Sequence, residues 1–488
     1  MVFAGLDVGT TGAKITLFES DKELRQFYEP YQSSRSAEYD EIDATIILNA
    51  VKKIIVEAYS YRKDLRYIGV TSFGETFVLL DKNDRVLSPS ILYNDVRGKE
   101  ETQTILSKIS REEIGRITGL MVHEMFSLPK LLYTKNHRPD LFARADKVLL
   151  IQDYIVYMLT GVRQIDYSLA SRTMLFDVNN HEWSDRLFSL FDLDKKHFSM
   201  PVKTGSIAGK MKLFDGIDGD ITIINVAHDQ VSVAIGSGLH QEGDAIDGCG
   251  TCECLIPFLS SIPKNRMIYD DGFGVVPYIY DNTYVSYPLI FSGGALIEWF
   301  VKTFAKGKND PYRYYEDTIS DFSPSRLLVS PHFLGSGTPF MNSSSKSFIY
   351  GLDISSTLDD IYKGILEGVA YEMRINLEEL RKCGISVNHL FANGGGSKNK
   401  KWLQMKANIL NVPITRIENY NAGTVGGAIV VGTSIGVFKD YQEGTAKLVK
   451  TGETYLPDAK IHRSYEPFYA LYKKLVFEKE RSGSNGNQ

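Results

Sequence analysis

Cysteine is scarce in this chain, with four residues in 488, so a disulfide framework is excluded. Three of them, Cys249, Cys252 and Cys254, form a C-x2-C-x-C group. Three thiols without a local fourth ligand do not complete a zinc site, and they read as small, soft side chains packed around a turn. Long apolar runs are also missing. No stretch reaches the length of a membrane span, and the first residues pass into a strand without a signal-peptide pattern, so a cytoplasmic location is expected. Neither H-E-x-x-H nor G-x-x-x-x-G-K-[ST] occurs, which leaves zinc-protease and P-loop chemistry unsupported. The formal net charge of −5 provides no cationic excess for a nucleic-acid partner. What remains is the composition of an ordinary globular enzyme, 43% hydrophobic and 24% charged, with length for roughly two to four domains.

Against that background one acid stands out. The β-rich run Ile221 to Ala227 delivers Asp229 into a turn, and a small-residue helix follows from Val231 to Gly238. A carboxylate held at the end of a strand lies where ligands collect in open α/β sheets. The same placement describes an ordinary helix cap. Asp229 alone leaves both readings open.

Two glycine-threonine turns bear on the choice. Val2 to Val8 reads as a strand, Gly9-Thr10-Thr11-Gly12 as a turn and Ala13 to Phe18 as a returning strand. Such a turn exposes N–H groups and hydroxyls that form an anion-binding nest. Asp7 at the strand end suits a hydrated Mg²⁺, which takes one or two carboxylates with water and phosphate oxygens, and Lys14 adds a positive charge. Asp244 to Pro257 repeats the pattern around Gly250-Thr251, half a chain later, which suggests a duplicated architecture. A third cluster, Gly394-Gly395-Gly396 with Ser397 and Asn399, follows the strand Val387 to Phe391; successive glycines let a backbone approach a ligand closely.

The remaining elements divide the chain into residues 1–240, 241–475 and a polar, disordered tail over 476–488, where Ser482 to Gln488 lacks apolar residues. Ala44 to Tyr59 reads as a helix, and Tyr67 to Ser72 and Phe77 to Leu80 as strands. The clearest element is a helix from Leu358 to Arg381, with Ile361, Ile365, Val369, Met373 and Leu380 on one face. Thr357 and Asp360 form a capping-box pattern at its start and Gly384 follows its end. Glu367 within it reads equally as a functional or a core acid, and Phe468 to Phe477 reads as a packing helix.

Several ordered segments, spanning Val2 to about Phe438, resemble the FGGY family of carbohydrate kinases, within the larger group of actin and hexokinase. Asp7 to Lys14 is similar to the first phosphate loop of that family and Gly248 to Thr251 to the second. Ile91 to Arg97 is similar to its sugar-contacting W-x-D-x-R segment, with Tyr93 in place of Trp. Ala227-His228-Asp229 is similar to its catalytic-aspartate segment. Ser292 to Trp299, Leu366 to Ala370 and Asn393 to Gly396 match carboxy-terminal segments, and Asn421 to Ala428 matches the E-A-x-x-x-G-A-A helix with Asn421 replacing the acid. The resemblance implies an α/β fold of two ribonuclease H-like (actin/hexokinase-type) domains, with mixed sheets flanking a central cleft that holds the active site. It further implies an amino-terminal sugar-binding domain and a carboxy-terminal nucleotide-binding domain.

On this reading the chain transfers the γ-phosphoryl group of ATP to a hydroxyl of a small sugar, with Asp229 as base and Asp7 holding Mg²⁺. Gly9, Thr10, Thr11, Lys14, Gly250 and Thr251 contact phosphates. The resemblance sets Gly394, Gly395, Gly396 and Asn399 against the adenosine. Glu75, Asn94, Asp95 and Arg97, together with Asp229, would contact the sugar, since carboxylates and amides satisfy hydroxyls that lose water on binding. Glu75-Thr76 resembles the R-E-T of glycerol kinases, but Gly74 replaces the Arg; Phe73-Gly74 resembles rhamnulose and fuculose kinases, and Asn94-Asp95 xylulose and gluconate kinases. An open-chain ketopentose such as xylulose is the expected substrate. Glycerol, another polyol or a sugar acid is the alternative, and a catalytically silent, sugar-sensing member of the fold is the reading from a different class. The expected partner is a small molecule, with no nucleic acid or membrane, and the reading is compatible with a homodimer.

Overall fold

The computed structural model describes residues 1–36 and 39–484. The strands that position the sites are β1 (Val2–Val8), β2 (Gly12–Glu19), β3 (Lys22–Pro30), β4 (Leu65–Ser72), β5 (Ile207–Lys210), β6 (Thr222–His228), β7 (Asp244–Cys249), β8 (Glu253–Leu259), β9 (Leu289–Ile290), β10 (His389–Asn393), β11 (Ile414–Ile417) and β12 (Thr451–Tyr455). The helices are α1 (Ala44–Tyr61), α2 (Ser127–His137), α3 (Ile151–Thr160), α4 (Asp229–Gly236), α5 (Gly294–Phe304), α6 (Leu358–Lys382), α7 (Lys400–Leu410), α8 (Ala422–Ser434) and α9 (Ala459–Ser484).

Two compact units result. The first comprises Met1–Gly238, Val275–Tyr284 and Asn421–Val449. Its sheet runs β5-β6-β4-β1-β2-β3, with β6, β4 and β1 parallel and the others antiparallel. Side chains alternate across a strand, so Val2, Ala4, Leu6 and Val8 of β1 share a core with Ile47, Val51, Ile54 and Ile55 of α1 and with Tyr154 and Ile155 of α3. The opposite face of β1 meets α8. A Cβ on Gly5 would lie 2.0 Å from the Thr424 carbonyl oxygen, and one on Gly426 would lie 1.9 Å from the Ser232 oxygen of α4. Glycine at these positions lets α8 rest its backbone directly on the strand and on α4.

The second unit comprises Leu239–Gly274, Val285–Tyr420 and Lys450–Gln488. Within it β8-β7-β10-β11-β12 are neighbours in that order, with β7, β10 and β11 parallel, and β9 pairing with β8. Each unit thus opens on an antiparallel hairpin whose first strand has a parallel neighbour on its other side, a repeated topology that matches the repeated glycine-threonine turns. The capping box between Thr357 and Asp360 is present at the start of α6. Glu367 is a core acid. It accepts from the Ser325 N–H at 3.0 Å and the Tyr465 hydroxyl at 3.2 Å, and burial pushes its carboxyl up to about 8.

Two sequence expectations need correction. The chain does not divide once near residue 240, because residues 275–284 and 421–449 return to the first unit. Nor do residues 476–484 form a disordered tail: α9 continues to Ser484, burying Val476 and bringing the Glu480 carboxylate to Ser345 at 2.5 Å and Asn342 at 2.8 Å. Tyr465, Tyr469, Tyr472 and Val476 continue the helical stripe through a polar-looking sequence. The last four residues of the expected tail lie outside the described residues. Among the described residues no helix is long and apolar enough to cross a membrane.

Candidate active site

The parallel strands β1, β4 and β6 of the first unit end together, with Val8 and His228 both registered against Ser72. Asp229 begins α4 immediately after β6. Its carboxylate accepts from the Gln230 N–H at 2.6 Å and lies 3.3 Å from His228 Nε2, with the side chain about one quarter exposed at 24%. His228 holds the capping position but makes no side-chain cap. Burial, followed by the charges of Asp7 and Glu75, raises the Asp229 carboxyl well above the ordinary carboxylate range, while Arg172 opposes that shift. Burial also lowers the His228 imidazole, and Arg172 lowers it further, so this neighbour is neutral.

Asp7, next to last in β1, faces Lys14 across the hairpin. Burial raises its carboxyl and Lys14 opposes the shift. A Cβ on Gly423 would come within 2.6 Å of Asp7 Oδ2, so glycine allows the first turn of α8 to lie against the carboxylate, where a helix N-terminus favours negative charge. The turn is braced from outside: Gly9 N–H donates to the Gly12 oxygen at 3.0 Å, and the Tyr31 hydroxyl donates to the Gly9 oxygen at 2.6 Å. Thr11 is exposed and Thr10 half-buried, leaving both at the surface of a fixed turn. One carboxylate, a second acid within electrostatic reach and adjoining threonines make an oxygen-only donor set that fits Mg²⁺.

The segment resembling a sugar contact is heavily engaged within the protein. Asp95 is buried and accepts from the Asp40 N–H at 2.7 Å and from the Arg97 guanidinium at 2.6 Å; Arg97 also bonds Glu41 at 2.7 Å. Asn94 donates to Asp40 at 2.8 Å. Against burial, the hydrogen bond from Arg97 holds the Asp95 carboxyl below its usual range. Glu75 is buried in the left-handed region at φ 62°, with its carboxylate 2.5 Å from Arg172 Nε and its carbonyl bonded by Ser127 of α2 at 2.6 Å. Lys130, also of α2, links the two groups electrostatically. Burial lowers its ammonium to about 8, while the charges of Asp95, Glu124 and Glu75 support it. Gly74 has a steric reason: a Cβ there would meet the His228 ring at 2.8 Å.

In the second unit the Gly250-Thr251 turn is clamped by the start of α5. The N–H groups of Gly293, Gly294 and Ala295 donate to the carbonyls of Thr251 and Gly250 at 2.9 to 3.1 Å. Gly394 adopts φ 102°, and a Cβ there would lie 2.6 Å from the Cys249 oxygen, whereas Gly395 faces open space. Asn399, expected against the adenosine, caps α7 through its side chain, which accepts from the Trp402 N–H at 2.8 Å. The cysteines pack as expected, with Cys249 and Cys254 buried and Cys252 half-buried. Asp247, Cys249 and Glu253 converge closely enough to hold a cation, but the chain supplies its own. The Lys406 ammonium sits 2.9 Å from Asp247 and 3.4 Å from Cys249 Sγ and bonds Glu253, all fully buried. Burial alone favours the neutral amine, and the surrounding acids outweigh it. Burial and Asp247 push the Glu253 carboxyl well up, and Lys406 opposes that shift.

The structure therefore gathers Asp7, Glu75 and Asp229 at one sheet end, and ties Asn94, Asp95 and Arg97 into an ion-pair network beside Lys130. The residues expected to contact ATP fall in both units. Sequence reasoning missed Arg172, Lys130 and Lys406, because each acts through partners far away in the chain.

Comparison with known proteins agrees with this geometry. The profile described as the FGGY family of carbohydrate kinases, N-terminal domain, matches residues 2–236, and the corresponding C-terminal domain matches residues 250–435. The chain is 26% identical to a xylulose kinase of Staphylococcus xylosus, covering 96% of this chain and 99% of that one. It is also 26% identical to a glycerol kinase of Streptococcus pyogenes serotype M28, covering 96% and 95%. Among solved structures it is similar to a xyloylose kinase from Brucella ovis, with a TM-score of 0.89, 25% identity and coverage of 97% and 98%. The chain belongs to the FGGY family of carbohydrate kinases, and is thus an ATP-dependent phosphotransferase with an alcohol group as acceptor.

Proposed function

We propose that this kinase phosphorylates an open-chain ketopentose such as xylulose, with Asp229 as the base. Equal identity to a xylulose kinase and a glycerol kinase does not discriminate between substrates. The observation that carries the reading is the packing at Gly74. The His228 ring occupies the space of any side chain there, so the arginine of the glycerol-kinase R-E-T segment has no place beside Glu75.

Phosphoryl transfer depends on positioning and charge more than on covalent help from the protein. Asp229 accepts the proton of the attacking hydroxyl, and its raised affinity for protons makes it a stronger base than an ordinary carboxylate. Glu75, fixed by Arg172, accepts from another sugar hydroxyl, and the network of Asn94, Asp95 and Arg97 shapes the site around the remainder. Thr10, Thr11, Gly250 and Thr251 hold phosphate oxygens, and Gly394, Gly395 and Gly396 approach the nucleoside. Asp7 would hold Mg²⁺, which when bound supplies positive charge to the phosphates.

A panel of xylulose, ribulose, rhamnulose, gluconate and glycerol, assayed by ADP release, tests this. The highest kcat/KM is expected on a ketopentose. Higher efficiency on glycerol would replace the substrate assignment, and sugar binding without turnover would favour a silent sensor.

A further inference from the structure

The short helix Tyr167–Ser171 lies beside the proposed active site and is capped by Asp166. Asp166 is fully buried. It accepts from the Ser168 N–H at 2.8 Å, the Ser168 hydroxyl and the Thr204 hydroxyl at 2.6 Å. A hydroxyl has one proton to give, and Asp166 takes it. The Ser168 lone pairs are thereby turned outward, where one accepts the His228 N–H at 2.8 Å. That peptide immediately precedes Asp229.

Four residues later, one turn along the same segment, Arg172 reaches Glu75. Its Nε and one terminal nitrogen both lie 2.5 Å from Glu75 Oε1, and the two side chains are 8% and 6% exposed. The guanidinium also lies 4.9 Å from the Phe126 ring centroid. Glu75 is held in a left-handed backbone conformation that such a residue adopts only when its surroundings require it. One segment thus grips both proposed acids: Asp229 through its main chain and Glu75 through its carboxylate.

We propose that Ser168 and Arg172 are positioning residues for this kinase: Ser168, oriented by Asp166, fixes the main chain before Asp229, and Arg172 fixes Glu75 and provides the positive charge that lets two acids work side by side. The inference rests on Asp229 acting as the base. It goes further in assigning work to residues that touch neither sugar nor ATP. The electrostatics agree in sign, since Glu75 raises the Asp229 carboxyl and Arg172 lowers it.

The test uses the full-length chain and the pH profile of kcat/KM for the best sugar. In Arg172→Met the positive charge is gone, so Asp229 binds its proton more tightly and activity is lost at higher pH on acidification. The acid limb should move to higher pH. Arg172→Lys keeps the charge but loses the planar fork; its acid limb should stay close to that of the wild type while KM for the sugar rises several-fold, and it reports on the same site should the Met variant fail to fold. Ser168→Ala should lower kcat by about 10²-fold, the scale of a small misplacement, with KM for ATP unchanged. An acid limb that does not move in Arg172→Met, a sugar KM in Arg172→Lys equal to that of the wild type, or a full kcat in Ser168→Ala overturns the proposal. Full activity in Asp229→Asn overturns the base assignment itself, and is read independently of these variants.

Discussion

Lys406→Met is the most demanding stability test this structure offers. The substitution keeps the length and volume of the stem but removes the ammonium between Asp247, Glu253 and Cys249, where every side chain is fully buried. Breaking a buried charge cluster by deleting one partner costs about 3–5 kcal/mol, because the remaining charge stays desolvated. The second unit has roughly 200 residues, and in that size range 1 kcal/mol moves the melting temperature by about 2–4 °C. The expected loss is therefore about 6–20 °C in the transition of that unit, read by scanning calorimetry at pH 7.5. The sign of the pH dependence follows. Without the ammonium, burial holds the folded pKa of Glu253 above the unfolded value, so its contribution is intact below about pH 4 and lost as pH rises through the folded pKa. The variant should therefore recover stability relative to wild type on mild acidification. Replacing the whole cluster, Lys406→Met with Asp247→Val and Glu253→Leu, should restore most of the loss, since well-packed apolar groups can replace a buried ion cluster at little cost. A single variant melting within 2 °C of the wild type would show that the cluster is hydrated in solution and refute the reasoning.

Asp229→Asn can still accept from Gln230 and begin α4, so folding and ATP affinity should hold while kcat falls by about 10²–10⁴-fold; near-normal turnover would mean the acid serves only the helix. Asp95→Asn should raise KM for the sugar with ATP binding unchanged by titration, and an equal loss of nucleotide binding would make its network purely structural. Asp153 is buried against Ser199 at 2.6 Å and its carboxyl is pushed up to about 7 by burial. Its folded pKa exceeds the unfolded one, so its contribution is complete below about pH 4 and falls as pH rises through 7; Asp153→Asn should flatten that part of the stability profile in denaturant titrations. Gly426→Ala must move the Ser232 backbone and should lower the melting temperature of the first unit by several degrees, whereas Gly395→Ala, facing open space, should leave that of the second unit unchanged.

Local signals carried much of the architecture. The two glycine-threonine hairpins, the capping box at Thr357 and the strand-to-helix turn at Asp229 depend on neighbours a few residues apart, which a sequence displays directly. The failures share a different cause. α8 joins the first unit partly through glycine backbones and is buried on every side from Ala422 to Gly432, so it has no hydrophobic period to read. Lys406 meets Glu253 across 153 positions, so the motif visible beforehand was only the cysteine spacing. The capping of α7 by Asn399 went unread in the sequence. Arg172 lies in no pattern singled out from the sequence; its partner Glu75 was visible, but the positive φ that makes the pairing informative was not.

The return of residues 421–449 to the first unit has a consequence for biosynthesis. β1 is made first, yet the helix that covers its second face begins about 410 residues later, after most of the other unit has been made. At a synthesis rate of about 5–20 residues per second, that face waits roughly 20–80 seconds for its cover. A chain stopped after Gly238 should therefore expose Gly5, Gly69 and the α4 surface to water and self-associate rather than behave as a finished domain. The glycines that make the final fit so close offer little apolar surface during the wait, which tempers the hazard that a bare hydrophobic face would present to a nascent chain.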